Sequence, residues 1–222
     1  VNGVAYPYLE VDPQAYRFRI LSVGNDRFFN LQMYVADPDV VTWDGRANTE
    51  VKMVPAVATE GFPLLWPTDG RDGGAPDPAT VGPSFIQIGT EGGFLPAPVT
   101  LENQPVTWNT DPTTFNMGNV QDHTLLLGPA ERADVIVDFS AYAGKTIILY
   151  NDAPAAFPAR DMRYDYYTGN LDLTDIGGTP TTQPGYGPNI RTVMQFRVAD
   201  ITPAPAFDLA ALEAMFAKNP TK

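Results

Sequence analysis

LLLGPAERADVIVDFS, residues 125–140, is the stretch whose reading decides the fold. Asp134 to Phe139 alternates, with Val135, Val137 and Phe139 on one face, the period-two signature of a strand that lays one side on a core. Asp134 and Asp138 bracket that strand. Glu131 and Arg132 fall in the turn before it, where they can pair with each other or hold backbone amides, so a structural role is expected of all four. The apolar run Leu125 to Leu127 opens the stretch, two residues after the single histidine of the chain, His123.

The same alternation recurs on both sides. Tyr16, Phe18 and Ile20 face opposite to Arg17 and Arg19; Phe29, Leu31, Met33 and Val35 alternate with Asn30, Gln32 and Tyr34; Met194, Phe196 and Val198 share a face. These segments predict half-buried strands. Thr146 to Tyr150 is continuously apolar and suits a central strand. Turn signals separate the strands at Gly24-Asn25, Asp44-Gly45, Asp69-Gly70, Gly92-Gly93 and Gly177-Gly178. With 22 prolines and 19 glycines there is little room for helix. The exception is the tail, where Asp208 can cap a helix carrying Leu209, Leu212, Met215 and Phe216 on one side. At about ten residues such a helix is not stable alone and must dock on something.

Two segments do not read as strands. Residues 36–82 are rich in proline and hold Trp43 and Trp66, and residues 153–189 are rich in Gly, Pro, Asp and Tyr. Loops of that length inside a compact domain are functional or packed by their own side chains. The expected fold is therefore an all-β sandwich forming one domain over residues 1–200, with these two insertions. Residues 201–222 form a connecting segment and helix leading toward a following domain.

Composition removes much of the usual chemistry. The chain has 222 residues, no cysteine and one histidine, so neither a four-ligand zinc site nor a two-His, one-Cys copper site can be assembled from it. Thiol nucleophiles, thiol redox centres and disulfides are excluded with the cysteines. A Ser/His/Asp triad would have to use His123, which lacks any GxSxG elbow, and a strand-edge histidine without a chemical role is the better reading. Fourteen basic against 26 acidic residues give a net charge of −12, which opposes nucleic acid and anionic membrane as partners. Apolar residues make up 44% of the chain, enough for a core, and no run reaches the length of a membrane span.

The remaining motifs are weak. Asp69 to Asp77 spaces carboxylates among glycines as a calcium loop might, but lacks the distal Glu of an EF-hand, and a solvated turn is the plainer reading. Tyr164, Tyr166 and Tyr167 with Trp43, Trp66 and Trp108 could build an aromatic platform for sugars, or simply pack the loops. Gly89 to Gly93 lacks the spacing of a nucleotide loop. The six methionines are scattered and read as core filler. No catalytic, cofactor-binding or metal-binding residue is assigned.

The strand sequences carry a resemblance. NGVAYPYLEVDP, YRFRILSVGNDRFFNLQM, FIQIGTEGGFLPAPVTL, LLLGPAERADVIVDFS, GKTIILYNDAPAAFP and MQFRV resemble, in that order, the middle cupredoxin domain of three-domain multicopper oxidases. The bacterial spore-coat laccases, bilirubin oxidases and manganese-oxidising enzymes are the most similar in character. These segments cover about half of the chain; Ser22-Val23-Gly24 departs mildly from the family's turn, and the insertions depart more. RYDYYTGN and GGTPTTQPGYGPN look closest to the manganese-oxidising group. The resemblance implies a cupredoxin-like Greek-key β-sandwich that supplies no copper ligand, with copper held by flanking domains of the same polypeptide. It further implies a parent enzyme that oxidises phenols, pigments or metal ions while reducing O2 to water, in a secreted, periplasmic or extracellular setting, and an isolated chain without activity. The competing readings are a free-standing sandwich that binds carbohydrate and an independent hydrolase using paired carboxylates.

Overall fold

The computed structural model describes residues 1–25, 27–57, 73–109, 111, 113–114, 120–153 and 161–218. In chain order its elements are β1 (Tyr8–Val11), β2 (Ala15–Leu21), β3 (Phe29–Val35), β4 (Met53–Val54), β5 (Ala75–Pro76), β6 (Phe85–Thr90), β7 (Gly93–Leu101), β8 (Leu125–Leu127), β9 (Arg132–Asp138), β10 (Thr146–Asn151), β11 (Thr192–Val198) and α1 (Leu209–Lys218). Two sheets form a sandwich, one in the order β1-β11-β10-β3-β8 and the other β2-β9-β6-β7, with β4 and β5 as a separate two-stranded piece. Every pairing is antiparallel except β1 with β11. The mostly β architecture with one short C-terminal helix is the one the alternating segments predict.

Strand β9 behaves as its sequence dictates. Val135, Val137 and Phe139 are completely buried between the sheets. Phe18 of β2 and Phe139 both meet Phe196 of β11 across the sandwich, with ring centroids 5.4 and 5.2 Å apart. Each such side chain removed from water contributes about 1.5–3 kcal/mol, which is what fixes the strand's register. On the outer face Asp134 takes a two-pronged hydrogen bond from Arg17 of the neighbouring strand, at 2.7 and 2.5 Å. Glu131 and Arg132 do not pair with each other. Glu131 Oε2 accepts the Gly128 amide at 2.6 Å, and Arg132 reaches across to Glu91 at 2.6 Å.

The five-stranded sheet departs from expectation at β3. Its alternation predicts a half-buried strand, yet Asn30, Gln32 and Tyr34 are as buried as Leu31 and Met33. The reason is a second apolar layer on the sheet's outer side, where Tyr34, Ile148 and Tyr150 pack with Ala36 and Val51 from the first insertion. A third cluster, Val106, Trp108, Val120 and Ala153, covers the end of the sheet near β8. Most of the outward polar atoms find partners in place: Tyr34 Oη donates to Gln32 Oε1 at 2.6 Å, Gln32 Nε2 donates to the Gln104 carbonyl, and Asn30 Oδ1 accepts the Thr124 amide at 2.9 Å, while Asn30 Nδ2 is buried without a hydrogen-bond partner among the described residues. Strand β10, continuously apolar, is buried on both faces as predicted.

The tail helix forms where Asp208 caps it, its Oδ1 accepting the Ala211 amide at 2.8 Å. It docks on β7 through an edge-to-face contact of Phe216 with Phe94, centroids 6.0 Å apart. Leu209 and Leu212 are half-buried beside this contact, and Met215 points to solvent.

Candidate functional site

The outer layer over the five-stranded sheet stops short of β11, and the gap is a cleft of about 310 Å³. Its floor is β11. One wall comes from the first insertion, at Arg46 to Glu50, another from the second, at Gly185 to Asn189, and the N-terminal residues Tyr6 and Pro7 close a third side.

The first wall is a tight turn that presents its side chains rigidly. The Thr42 amide donates to the Arg46 carbonyl at 2.8 Å and the Arg46 amide donates to the Thr42 hydroxyl at 2.8 Å, while Gly45 takes the left-handed φ of +83° that the turn requires. Trp43, 84% exposed, stacks on Tyr186 of the second insertion at 5.9 Å and 12°. The Arg46 guanidinium lies 4.9 Å from the same ring and pairs with Asp44 at 3.1 Å. Hydrogen bonding from Thr42, helped by Tyr186 and Arg46, pulls the Asp44 carboxyl down to about 2.

Glu50 ties the walls together. One carboxylate oxygen accepts the Gly185 amide at 2.7 Å and the other the Thr168 hydroxyl at 2.8 Å. Burial pushes its carboxyl above the usual range, with those two donors pulling the other way. Deeper still, Arg191 Nη2 meets Asp165 Oδ2 at 2.6 Å with both side chains almost wholly buried. Arg27 approaches the same carboxylate at 3.8 Å, and burial lowers its guanidinium to about 10 against the pull of Asp165.

The aromatic residues of the insertions do not assemble into one platform. Trp108 is buried in the cluster near β8, Tyr167 lies beneath Arg191 at 3.7 Å, and Tyr164 is exposed beside Arg163. Trp43 instead joins Tyr186, a partner within the GYGPN segment that the sequence alone did not single out. Trp66 and residues 69–72 of the calcium-loop candidate lie outside the described residues. Asp77, at the end of that candidate, caps the short turn Pro78–Thr80 through the Ala79 amide at 2.9 Å and sits 3.4 Å from Lys52. Gly89 to Gly93 makes the hairpin between β6 and β7.

His123 stands exposed before β8, its Nδ1 2.8 Å from the Thr124 carbonyl oxygen. Among the described residues no three His, Cys, Asp or Glu side chains gather as a metal ion requires.

The chain is 33% identical over 153 residues to a laccase of Bacillus stratosphericus and 31% identical over 153 residues to a laccase of Bacillus subtilis, matches covering 69% of this chain and 17% of each relative. Over 161 residues it is 26% identical to a multicopper oxidase of Arabidopsis thaliana. The chain is homologous to one part of the laccases and multicopper oxidases. It spans about 17% of the length of the laccases it matches. No protein-family model matches. Among solved structures, a laccase from Pediococcus acidilactici aligns over 93% of this chain and 23% of its own, with 19% identity and a TM-score of 0.41.

Copper is the metal this kinship implies, and the residues here do not fit it. One imidazole already facing a carbonyl, with no thiolate in the sequence, offers no copper donor set.

Proposed function

We propose that this chain is the copper-free middle domain of a three-domain multicopper oxidase, a structural spacer that sets the position of two copper-bearing domains. The observation that carries the reading is a homology confined to about 17% of each laccase, joined to a sequence with one histidine and no cysteine. Residues 1–200 are the cupredoxin-like domain, and residues 201–222, held through Ala204 on Pro13, Phe207 on Asp138 and Phe216 on Phe94, lead toward the next one. The parent enzyme would oxidise phenols, pigments or metal ions at copper in its other domains and reduce O2 to water, in a periplasmic or extracellular location. No described helix is long and apolar enough to cross a membrane. The two insertions border the substrate cleft or an interdomain face of that parent, a role motivated by their length and by the exposed Trp43.

Metal analysis and oxidase assays of the 222-residue chain test the reading. No stoichiometric copper and no turnover of phenolic substrates are expected, and a blue absorption band with bound copper would overturn it. In the parent gene, His-x-His pairs are expected before Val1 and a Cys flanked by His after Lys222. Deleting residues 153–189 from the parent without change in kinetics or stability would remove the role given to the insertions.

A further inference from the structure

We propose that the cleft over β11 is a binding site for a small aromatic carboxylate. The cation that would receive it is Arg197. Its Nε and Nη2 donate to the neutral Gln195 Oε1 at 3.2 and 3.1 Å, and its guanidinium lies 3.7 Å from the Tyr8 ring centroid. Among the described residues no carboxylate comes within ion-pair distance of it, in a chain carrying a net charge of −12. An unneutralised arginine in such a chain, held flat on a ring beside a cleft, keeps donors free for a planar two-oxygen acceptor.

Glu10, opposite Arg197 on β1, is exposed and makes no ion pair with it, and the charged groups lining the cleft leave that preference intact. Arg46 is neutralised by Asp44, and Glu50 has both oxygens occupied by Gly185 and Thr168. Gln195 is itself held by the first insertion, its Nε2 donating to the Asn48 carbonyl at 2.9 Å, so the acceptor that orients Arg197 is fixed. The Thr49 hydroxyl, in a residue only 8% exposed that lines the same cleft, has no hydrogen-bond partner among the described residues. A buried hydroxyl without a partner costs about 1–3 kcal/mol, a cost that a small movement of Thr49 toward a ligand oxygen in the cleft would relieve.

Ring recognition comes from the walls. Tyr6 adopts a left-handed φ of +46°, which a bulky residue rarely does, and its ring lies against Gly187. Tyr186 lines the same cleft, backed by Trp43 and Arg46. A cleft of about 310 Å³ with aromatic sides and a few convergent polar groups suits a single-ring molecule. The proposal is independent of the spacer role.

The test is titration of the ¹⁵N-labelled 222-residue chain with benzoate, followed by amide NMR. Saturable shifts at Thr49, Gly185 and Arg197 are expected, in the roughly millimolar range open to so small a ligand. Acetate, which lacks the ring, and benzyl alcohol, which lacks the charge, should each bind at least about tenfold more weakly, and Arg197→Gln should weaken benzoate by a similar factor. Arg197 is exposed, so the variant keeps the fold, which unchanged shifts in β9 and β10 would verify. Arg163→Gln, on an exposed arginine paired with Asp161, should leave benzoate binding as it was. Absence of saturable shifts, acetate binding as tightly as benzoate, or benzoate binding untouched by Arg197→Gln would each overturn the proposal.

Discussion

Asp138 Oδ2 accepts the backbone amide of Phe207 at 2.8 Å, fastening the C-terminal segment to the end of β9 from 69 residues away. The same carboxylate accepts the Ser140 amide at 2.9 Å and its hydroxyl at 3.0 Å. Asp138→Ala removes all three acceptor contacts and should cost about 1–3 kcal/mol in urea denaturation. Amide exchange should quicken from residue 204 through the helix while β9 and β10 keep their protection. An Asp138→Ala chain whose tail exchanges no faster would mean that Phe216 on Phe94 holds the helix by itself.

The buried pair beneath the second insertion should be far more sensitive than an exposed one. Asp165→Ala leaves Arg191 charged and almost fully buried without its carboxylate, a change that costs about 3–5 kcal/mol. Asp161→Ala, which breaks the exposed contact to Arg163, should change stability little. Chemical denaturation of the two variants side by side is the measurement, and equal effects would contradict the placement of Arg191.

Glu50 makes a pH-dependent contribution of defined sign. Its carboxyl is raised in the folded chain, so the folded state binds the proton more tightly than the unfolded one. The stability this gives is fully present below the ordinary glutamate value of 4.5 and is lost as pH rises through the folded value. Glu50→Gln keeps an acceptor for Gly185 and a donor for Thr168 but cannot ionise. Its stability relative to the parent chain should therefore climb as pH is raised above 4.5, and a flat difference across pH 4–8 would be inconsistent with a buried, raised carboxyl. Asp44, held down to about 2, runs the opposite way: its contribution is present above 3.8 and falls away as pH drops toward 2.

Gly185 sits at φ +70°, and a Cβ there would come within 2.5 Å of Thr42 Cγ2. Gly185→Ala should cost about 1–3 kcal/mol and pull the two insertions apart. Loss of the near-ultraviolet circular dichroism contributed by Trp43 stacked on Tyr186 would report the separation directly.

The sandwich was legible in the sequence because β2, β9 and β11 spend their side chains as a one-faced sheet must, with Phe18, Val135, Val137 and Phe196 inward. Strand β3 was not, because Asn30, Gln32 and Tyr34 look like solvent-facing residues until Gln104, Thr124 and Val51 arrive from elsewhere in the chain to cover them. The capped helix was visible in Asp208 and its apolar spacing, though not the strand on which it rests. The cleft escaped for a geometric reason. Its walls come from Tyr6, Arg46 and Tyr186, which no local pattern connects, and only the sheet's pairing of β1 with β11 brings them together. Trp43 stands out in the sequence as an aromatic, but nothing in the stretch GGTPTTQPGYGPN marks Tyr186 as its partner.

The apolar layer formed by Tyr34, Ile148 and Tyr150 under the first insertion has a consequence for how the domain can change over time. The central strands β3 and β10 are clothed on both sides, so the residues of the first insertion that look like decoration are structural walls. Shortening the first insertion would strand two tyrosine rings and an isoleucine in water, a loss that repacking of the sandwich interior cannot repair. Variation in this region should therefore proceed by exchanging side chains at the rim, around Trp43 and Arg46, while the chain path between Ala36 and Val51 stays as it is.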